Sequence, residues 1–177
     1  MQITLKPGIN SGPELVSDSN PLPVEVIAQA TASQPATYRA SFSFAAVSGD
    51  AVVIFGVAGK VIKVREIAIA KPSAIETVIV IKRVTADSGG TSTLATNVPL
   101  DSNDTLTSTA VRIYTAAPTA GTSIGNIARA VVNINDVLIL TFGDKAKPVM
   151  LRAANECLAV NVDATATLPG WIEWTEE

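Results

Sequence analysis

The sequence predicts an all-β protein, an antiparallel β-sandwich with an extended N-terminal arm. Three observations support this fold class: short runs rich in Val and Ile, polar turn segments between them, and no helical periodicity of useful length. About eight core strands are expected. Eight antiparallel strands with long crossing loops suit a jelly roll. An immunoglobulin-like sandwich is the alternative, because strand order cannot be read from one sequence.

The arm is predicted to comprise residues 1–37, and the sandwich domain residues 38–177. Pro-Gly, Gly-Pro and Asn-Pro pairs and many small polar residues leave the arm little capacity to build its own core. Its strand-forming ends carry four apolar interface candidates: Ile3, Leu5, Val24 and Val26. Two interpretations stay open: a disordered leader, or an arm that adds strands to the sheet of a neighbouring subunit.

A β-bulge is predicted in the strand at 61–70, near Arg65-Glu66. Two apolar pairs of this strand stand in opposite phase: Ile62 with Val64, and Ile67 with Ile69. Because a strand has a period of two residues, one extra residue between the pairs would return both to the same face.

The same strand is predicted to form a central hairpin with residues 77–84, across a bend that contains Pro72. The second strand holds an apolar run without alternation, a pattern typical of strands covered on both faces, by the sandwich or by another subunit. This run supplies four interface candidates: Val78, Ile79, Val80 and Ile81. A second hairpin is predicted between residues 130–134 and 137–142.

Two further features of the sequence indicate contacts. Trp171 and Trp174, three positions apart on the last strand, face opposite sides. One is expected to cap the core, and the other to rest on a neighbouring subunit or on the arm. The long Ser/Thr-rich segment at 86–110 is expected to be functional or to belong to an interface.

Composition favours an oligomer. Hydrophobic residues make up 47% of the chain and charged residues 16%, yet no apolar run is long enough to span a membrane. The N-terminus lacks the pattern of a secretory signal. With a net charge of −3 and scattered basic residues, no nucleic-acid partner is expected. We therefore expect part of the apolar surface to be buried between subunits. No membrane partner is expected.

The sequence holds no convincing catalytic, cofactor or metal site, so a non-enzymatic protein is predicted. The absence of histidine removes His-based nucleophile pairs and His-ligated zinc. The single Cys157 is expected to be a buried apolar residue. Asp101 opens a stretch that lacks the glycine and closing glutamate of a calcium loop, and a surface turn is predicted there. A glycan hydrolase using only carboxylates, Glu66 and Glu76, remains a hypothesis of another class.

Several segments together resemble a widespread group of structural proteins from tailed bacteriophages. In chain order they are Thr37-Tyr38 with the following Ala-Ser strand, GKVIKVREIAI, IKRVTADSGGTST, the turn VPLDS at 98–102, YTAAPTAGTSIG, LRAANECLAVNV and IEWTEE. The resemblance covers residues 37–177. It implies a virion protein assembled in the host cytoplasm, a β-sandwich that is often trimeric and has the major capsid protein or other virion proteins as partners. The expected role is head decoration, or cement; the alternative is a neck or tail component, such as a fibre base or receptor-binding module.

Overall fold

The computed structural model describes residues 35–45, 48–71, 76–133, 135–143, 148–163, 165 and 167–177. This part of the chain is all-β and contains no helix, as the sequence predicts. The predicted arm lies almost wholly outside the described residues, and so do its four interface candidates, Ile3, Leu5, Val24 and Val26.

Twelve strands make up the described fold, more than the eight or so expected. They are β1 (Ala36–Ala45), β2 (Gly49–Phe55), β3 (Ile62–Lys71), β4 (Glu76–Arg83), β5 (Thr91–Leu94), β6 (Asn97–Pro99), β7 (Val111–Ala116), β8 (Ser123–Val132), β9 (Asp136–Thr141), β10 (Val149–Leu151), β11 (Cys157–Val162) and β12 (Thr167–Glu176). The two strands β5 and β6 lie within the 86–110 segment, where a loop was expected.

The strands form two antiparallel sheets that pack face to face as a β-sandwich. Sheet 1 has the order β10-β3-β12-β1-β6, and sheet 2 the order β5-β7-β2-β11-β4-β8. In sheet 1, β9 and β10 share the second side of β3: β10 pairs with residues 62–64 and β9 with residues 66–71. Strands β8 and β9 therefore lie at one edge of the sandwich, and β5 and β6 at the opposite edge.

The core lies between the two sheets and follows the alternation of the sequence. In β1, Tyr38, Ala40 and Phe42 are buried, and in β11 Leu158 and Val160 meet them from the other sheet. Each fully buried aliphatic side chain of this kind contributes about 1.5–3 kcal/mol.

The predicted bulge in β3 is confirmed. Val64 lies opposite Trp174 and Glu66 opposite Glu173, so that Arg65 is the extra residue on β3. The inserted residue restores the phase, because both apolar pairs, Ile62 with Val64 and Ile67 with Ile69, belong to the buried core.

Both predicted hairpins are wrong. Strand β3 lies in sheet 1 and β4 in sheet 2; likewise β8 lies in sheet 2 and β9 in sheet 1. The physical reason is that β3 is already paired on both sides, by β12 on one and by β9 and β10 on the other. Each short connection therefore carries the chain from one sheet to the facing sheet instead of turning it back within one.

Candidate interaction surfaces

Nine large hydrophobic side chains of the described residues are exposed, and they fall into two groups at opposite edges of the sandwich. The β5–β6 edge comprises Leu94, Val98, Leu100 and Leu106, on these strands and on the connection from β6 to β7. The β8–β9 edge comprises Ile124, Ile127, Val131, Val137 and Ile139. Within the β8–β9 edge, Ile139 points out of sheet 1 and Val131 out of sheet 2, because their neighbours Leu140 and Val132 pack in the core. Apolar side chains exposed near the edges of a sandwich are candidates for interaction sites.

Strand β8 is an unusual edge strand. It is ten residues long, has no neighbour on its outer side among the described strands, and carries one charge, Arg129. Natural edge strands are normally protected by several charges, by proline or by bulges. Here the pairing with β4 shifts register twice, between Val80 and Ile81 and between Lys82 and Arg83. These irregularities disfavour the addition of another strand and leave the apolar side chains as the available surface.

The 78–81 run divides between core and surface. Val78 and Val80 are buried in the core at 1% and 0% exposure, so within the sandwich they are already covered. Ile79 and Ile81 point to the other face of sheet 2, are half-buried, and lie opposite Arg129 and Asn126 of β8. They extend the β8–β9 edge inward, and the predicted contact with another subunit stays a prediction for these two residues.

The two tryptophans lie on opposite faces of β12, as predicted. Trp174 is fully buried and stacks on Tyr38, with ring centroids 5.9 Å apart. Trp171 lies on the outer face of sheet 1, where its Nε1 donates to Oε1 of Glu66 at 2.7 Å and the guanidinium of Arg39 lies 5.4 Å from its ring centroid. Trp174 is thus the core cap, and the predicted contact of Trp171 with a neighbour or the arm stays a prediction.

The loop that presents Leu106 is fixed to the sandwich. The side chain of Glu176, only 5% exposed, is paired with Lys60 and accepts hydrogen bonds from the hydroxyls of Thr107, Ser108 and Thr109. Burial alone would raise the pKa of Glu176, but the hydrogen bonds from Lys60 and the threonines hold it below its usual value. Leu106, 78% exposed, therefore stands on an anchored loop.

A buried ionic cluster covers part of the outer face of sheet 2. Nη2 of Arg83 donates to Oδ2 of Asp50 at 2.5 Å, and its Nε lies 3.0 Å from Oδ1 of Asp87. The backbone of Gly121 joins the cluster, with its N–H donating to Asp87 and its carbonyl accepting from Arg83. The cluster thereby ties the segments at 84–90 and 117–122 onto the sheet, above a small second core around Val53.

Position 121, in one of the two segments that lie on the outer face of sheet 2, requires glycine. A Cβ at Gly121 would lie 1.7 Å from the carbonyl oxygen of Thr85, far inside van der Waals contact. The close approach lets the backbone of Gly121 reach both charged partners, and it could not form with any other residue at this position.

The pKa of Asp87 is raised to about 6. Burial is the main cause, and the neighbouring carboxylate of Asp50 raises it further, while the N–H of Gly121 and the guanidinium of Arg83 act in the opposite direction. One arginine faces two buried carboxylates, so the cluster favours a bound proton.

Because the folded protein binds this proton more tightly than the unfolded chain, the free energy of unfolding should fall as pH rises. The folded protein binds it with a pKa of about 6 and the unfolded chain near 3.8, so the free energy of unfolding should drop by about 2 kcal/mol between pH 4 and 6.5. Asp87→Asn should remove this slope, because its amide oxygen still accepts from Gly121 but cannot ionise. Urea denaturation at several pH values measures it. The exposed-turn variant Asp101→Asn is the control, and an unchanged slope in Asp87→Asn would contradict the assignment.

Other chemistry considered from the sequence finds little support in the described residues. No three His, Cys, Asp or Glu side chains among them lie close enough to hold a metal ion. Asp101 caps a surface turn, as expected, accepting from the backbone N–H of Asn103 at 2.9 Å. Glu66 lies in sheet 1 under Trp171, whereas the strand that begins at Glu76 belongs to sheet 2. The described chain contains no helix able to cross a membrane.

Sequence reasoning missed the two edges and the ionic cluster. A weak signal for the β5–β6 edge was present: Leu94, Leu100 and Leu106 are isolated large apolar residues in a segment otherwise rich in Ser, Thr and Asn. For the cluster there was no local signal, because Asp50 and Arg83 are separated by 33 positions.

Comparison with known proteins gives no relative for the chain: no protein-family model matches it, and no curated protein or solved structure matches it either.

Proposed function

We propose that this protein is a non-enzymatic capsid decoration (cement) protein of a tailed bacteriophage, which forms trimers and bridges neighbouring capsomers. The observation that carries the proposal is that the nine large apolar side chains exposed among the described residues all lie at two edges of the sandwich. Such a surface suits a subunit that is buried by an assembly. Because residues 37–177 resemble phage structural proteins, the proposed assembly is the phage virion.

The sandwich is proposed to be a jelly roll. The sheets contain the orders β1-β12-β3-β9 and β2-β11-β4-β8. Renumbered along the chain, these eight strands give 1-8-3-6 and 2-7-4-5. These orders arise when an antiparallel ribbon, with its first strand paired to its last, is wrapped into two facing sheets. The strands β5, β6, β7 and β10 are then additions to an eight-strand framework, which supports the strand number expected from the sequence.

The proposed mechanism is stabilisation by mass action. Surface that is buried on the assembled shell but not on free capsomers shifts the equilibrium towards the shell. The bound protein would help the shell to resist the outward force of the packaged DNA. The protein needs no bound cofactor for this role; its task is to present anchored apolar surface.

The number of copies per virion tests the proposal. Quantitative mass spectrometry of purified particles, scaled to the major capsid protein, should give on the order of hundreds of copies, as expected for a component repeated at capsid symmetry axes. About a dozen copies or fewer would favour the neck or tail alternative instead. Absence from the particle would overturn the assignment to a virion.

Deletion of the arm provides a second test. We expect a variant lacking residues 1–30 to stay folded and trimeric but to lose binding to capsids, because the apolar residues of this segment are predicted to add strands to a neighbouring protein. Co-sedimentation with capsids stripped of the protein measures binding, and light scattering measures the oligomer. A control in which Ile3, Leu5, Val24 and Val26 are replaced by Ser tests whether these side chains are responsible. Retained capsid binding would contradict the role of the arm.

A further inference from the structure

We propose that the buried ionic cluster is a proton-operated latch on the outer face of sheet 2. While Asp87 is protonated, the latch holds the segments at 84–90 and 117–122, together called the cover, over the second core. When Asp87 ionises, the cover opens and Cys157 beneath it becomes accessible to solvent. The latch acts within a single chain, so it is independent of the proposed role in a virion.

The proton has a defined place in the cluster. Both oxygens of Asp50 accept hydrogen bonds, Oδ1 from Asn161 at 2.7 Å and Oδ2 from Arg83 at 2.5 Å. In Asp87, Oδ1 accepts from the backbone N–H of Gly121 at 2.8 Å, but the buried Oδ2 receives no hydrogen bond from the described residues. A proton on this atom makes it a donor, and the carboxylate of Asp50 is the neighbouring acceptor.

The charge balance decides which protonation state is closed. Four titratable groups face Asp87 from the strands beneath it: Asp50 on β2, Arg83 on β4, Tyr114 on β7 and Cys157 on β11. Arg112, also on β7, is directed to the ring of Phe55, and the cover carries no other charge. Burial keeps Tyr114 and Cys157 neutral by raising the pKa of both. One guanidinium therefore balances one carboxylate, and the second is accommodated in the closed state by its proton.

The cover is bound mainly to itself and to the latch. Its two segments pair through the backbones of Ser88 and Thr119, and the N–H of Thr122 donates to the hydroxyl of Thr85. Its apolar contact with the second core is made by a small side chain, Ala86. A segment that buries so little apolar surface can open while the two sheets stay folded.

Cys157 lies directly under the cover. Its neighbour on β11, Leu158, points into the main core, so the thiol lies on the outer face of sheet 2, yet it is fully buried. Hydrogen bonding from the backbone of Asp87 acts on its pKa, which places the cover in contact with the sulfur. Opening of the cover therefore exposes this thiol.

The direction of the pH effect follows from the proton. Closed, Asp87 has a pKa of about 6, whereas solvated in the open state it has the ordinary value near 3.8. Opening releases the proton, so the open population should rise between pH 4 and 6.5 and level off above it. The two pKa values give a rise of about 50-fold between pH 4 and 7.

The rate at which Cys157 is labelled tests the latch. The reagent is 4,4′-dithiodipyridine, which reacts with thiols at acid pH, and the rate is followed by mass spectrometry. Asp87→Asn mimics the protonated state, because its amide can donate to Asp50 and cannot ionise. The ratio of the rate in the unchanged protein to that in Asp87→Asn cancels the pH dependence of the thiol reaction. We expect this ratio to rise about 50-fold between pH 4 and 7.

A thiol on the opposite face of the same strand is the matched control. Cys157→Ala/Val160→Cys moves the cysteine into the main core, where the native Val160 is 1% exposed and only global unfolding gives access. Its labelling should accelerate steeply with urea, whereas labelling of Cys157 should stay nearly constant in low urea. Gly121→Ala, whose Cβ would collide with the backbone of Thr85, should hold the cover open and be labelled fast at every pH.

The latch is overturned if the rate ratio stays constant with pH. It is also overturned if urea accelerates labelling of Cys157 as steeply as that of the Val160→Cys control, because the thiol would then be exposed only by global unfolding. Slow labelling of a folded Gly121→Ala variant would contradict the cover as the barrier. If that variant does not fold, the ratio and the urea dependence decide.

Discussion

Arg83→Met should remove a large part of the protein's free energy of unfolding. The substitution leaves Asp50 and Asp87 buried, at 2% and 0% side-chain exposure, without their shared counter-charge. Breaking a buried ion pair by removing one partner costs about 3–5 kcal/mol, out of a total that is about 5–15 kcal/mol for a typical domain. Urea denaturation followed by tryptophan fluorescence, at fixed protomer concentration, should show a midpoint shifted far towards zero urea.

A neutralised cluster is the control for this effect. The triple variant Arg83→Met, Asp50→Asn, Asp87→Asn removes all three charges and should recover most of the lost stability, because buried ion pairs are often replaceable as a set. If Arg83→Met were as stable as the unchanged protein, the three charges would have to be solvated, contrary to the structure. If the triple variant were no better, packing rather than charge would explain the loss.

The features predicted correctly from the sequence are those set by neighbouring residues. The alternation in β1, the bulge at Arg65 and the opposite directions of Trp171 and Trp174 all follow from the two-residue period of a strand. Each needs only a few consecutive positions. Burial then confirms the phase, because an apolar side chain on the wrong face would be left in water.

The choice of pairing partner could not be predicted in this way. Polar turn residues near Pro72 and Asn135 mark where a strand ends, but they do not say whether the next strand lies beside it or in the facing sheet. That choice was decided by distant strands: β12, which begins at Thr167, pairs with one side of β3, and β9 and β10 pair with the other, so no side is left for β4. Long-range pairing of this kind leaves no trace in a local pattern.

The candidate surfaces fall between these two cases. Val78 to Ile81 were assigned as one apolar run, yet alternate members point into the core and out of sheet 2. Whether an outward residue is covered depends on which loops cross that face, and the cover at Gly121 stops short of β8, where Ile127 and Val131 remain exposed. The edges therefore emerge only from the assembled fold.

Charges introduced at the β8–β9 edge should abolish self-association if the proposed trimer forms through this edge. The double variant Val131→Asp/Ile139→Asp places two carboxylates at positions 57% and 53% exposed in the single chain, where they cost little. In such a contact the two carboxylates would be buried without partners. We expect the dissociation constant of the oligomer to rise at least about 1,000-fold, equivalent to about 4 kcal/mol.

Sedimentation velocity over a range of concentrations measures this shift, and urea denaturation shows that the monomer stays folded. The matched control is Ser41→Asp/Thr167→Asp, which adds the same two charges at exposed positions on β1 and β12 and should leave association unchanged. An oligomer of undiminished affinity in the edge variant would place the subunit contact elsewhere on the sandwich. Equal weakening by the control would instead trace the effect to net charge, because two added carboxylates per protomer increase repulsion between copies wherever they lie.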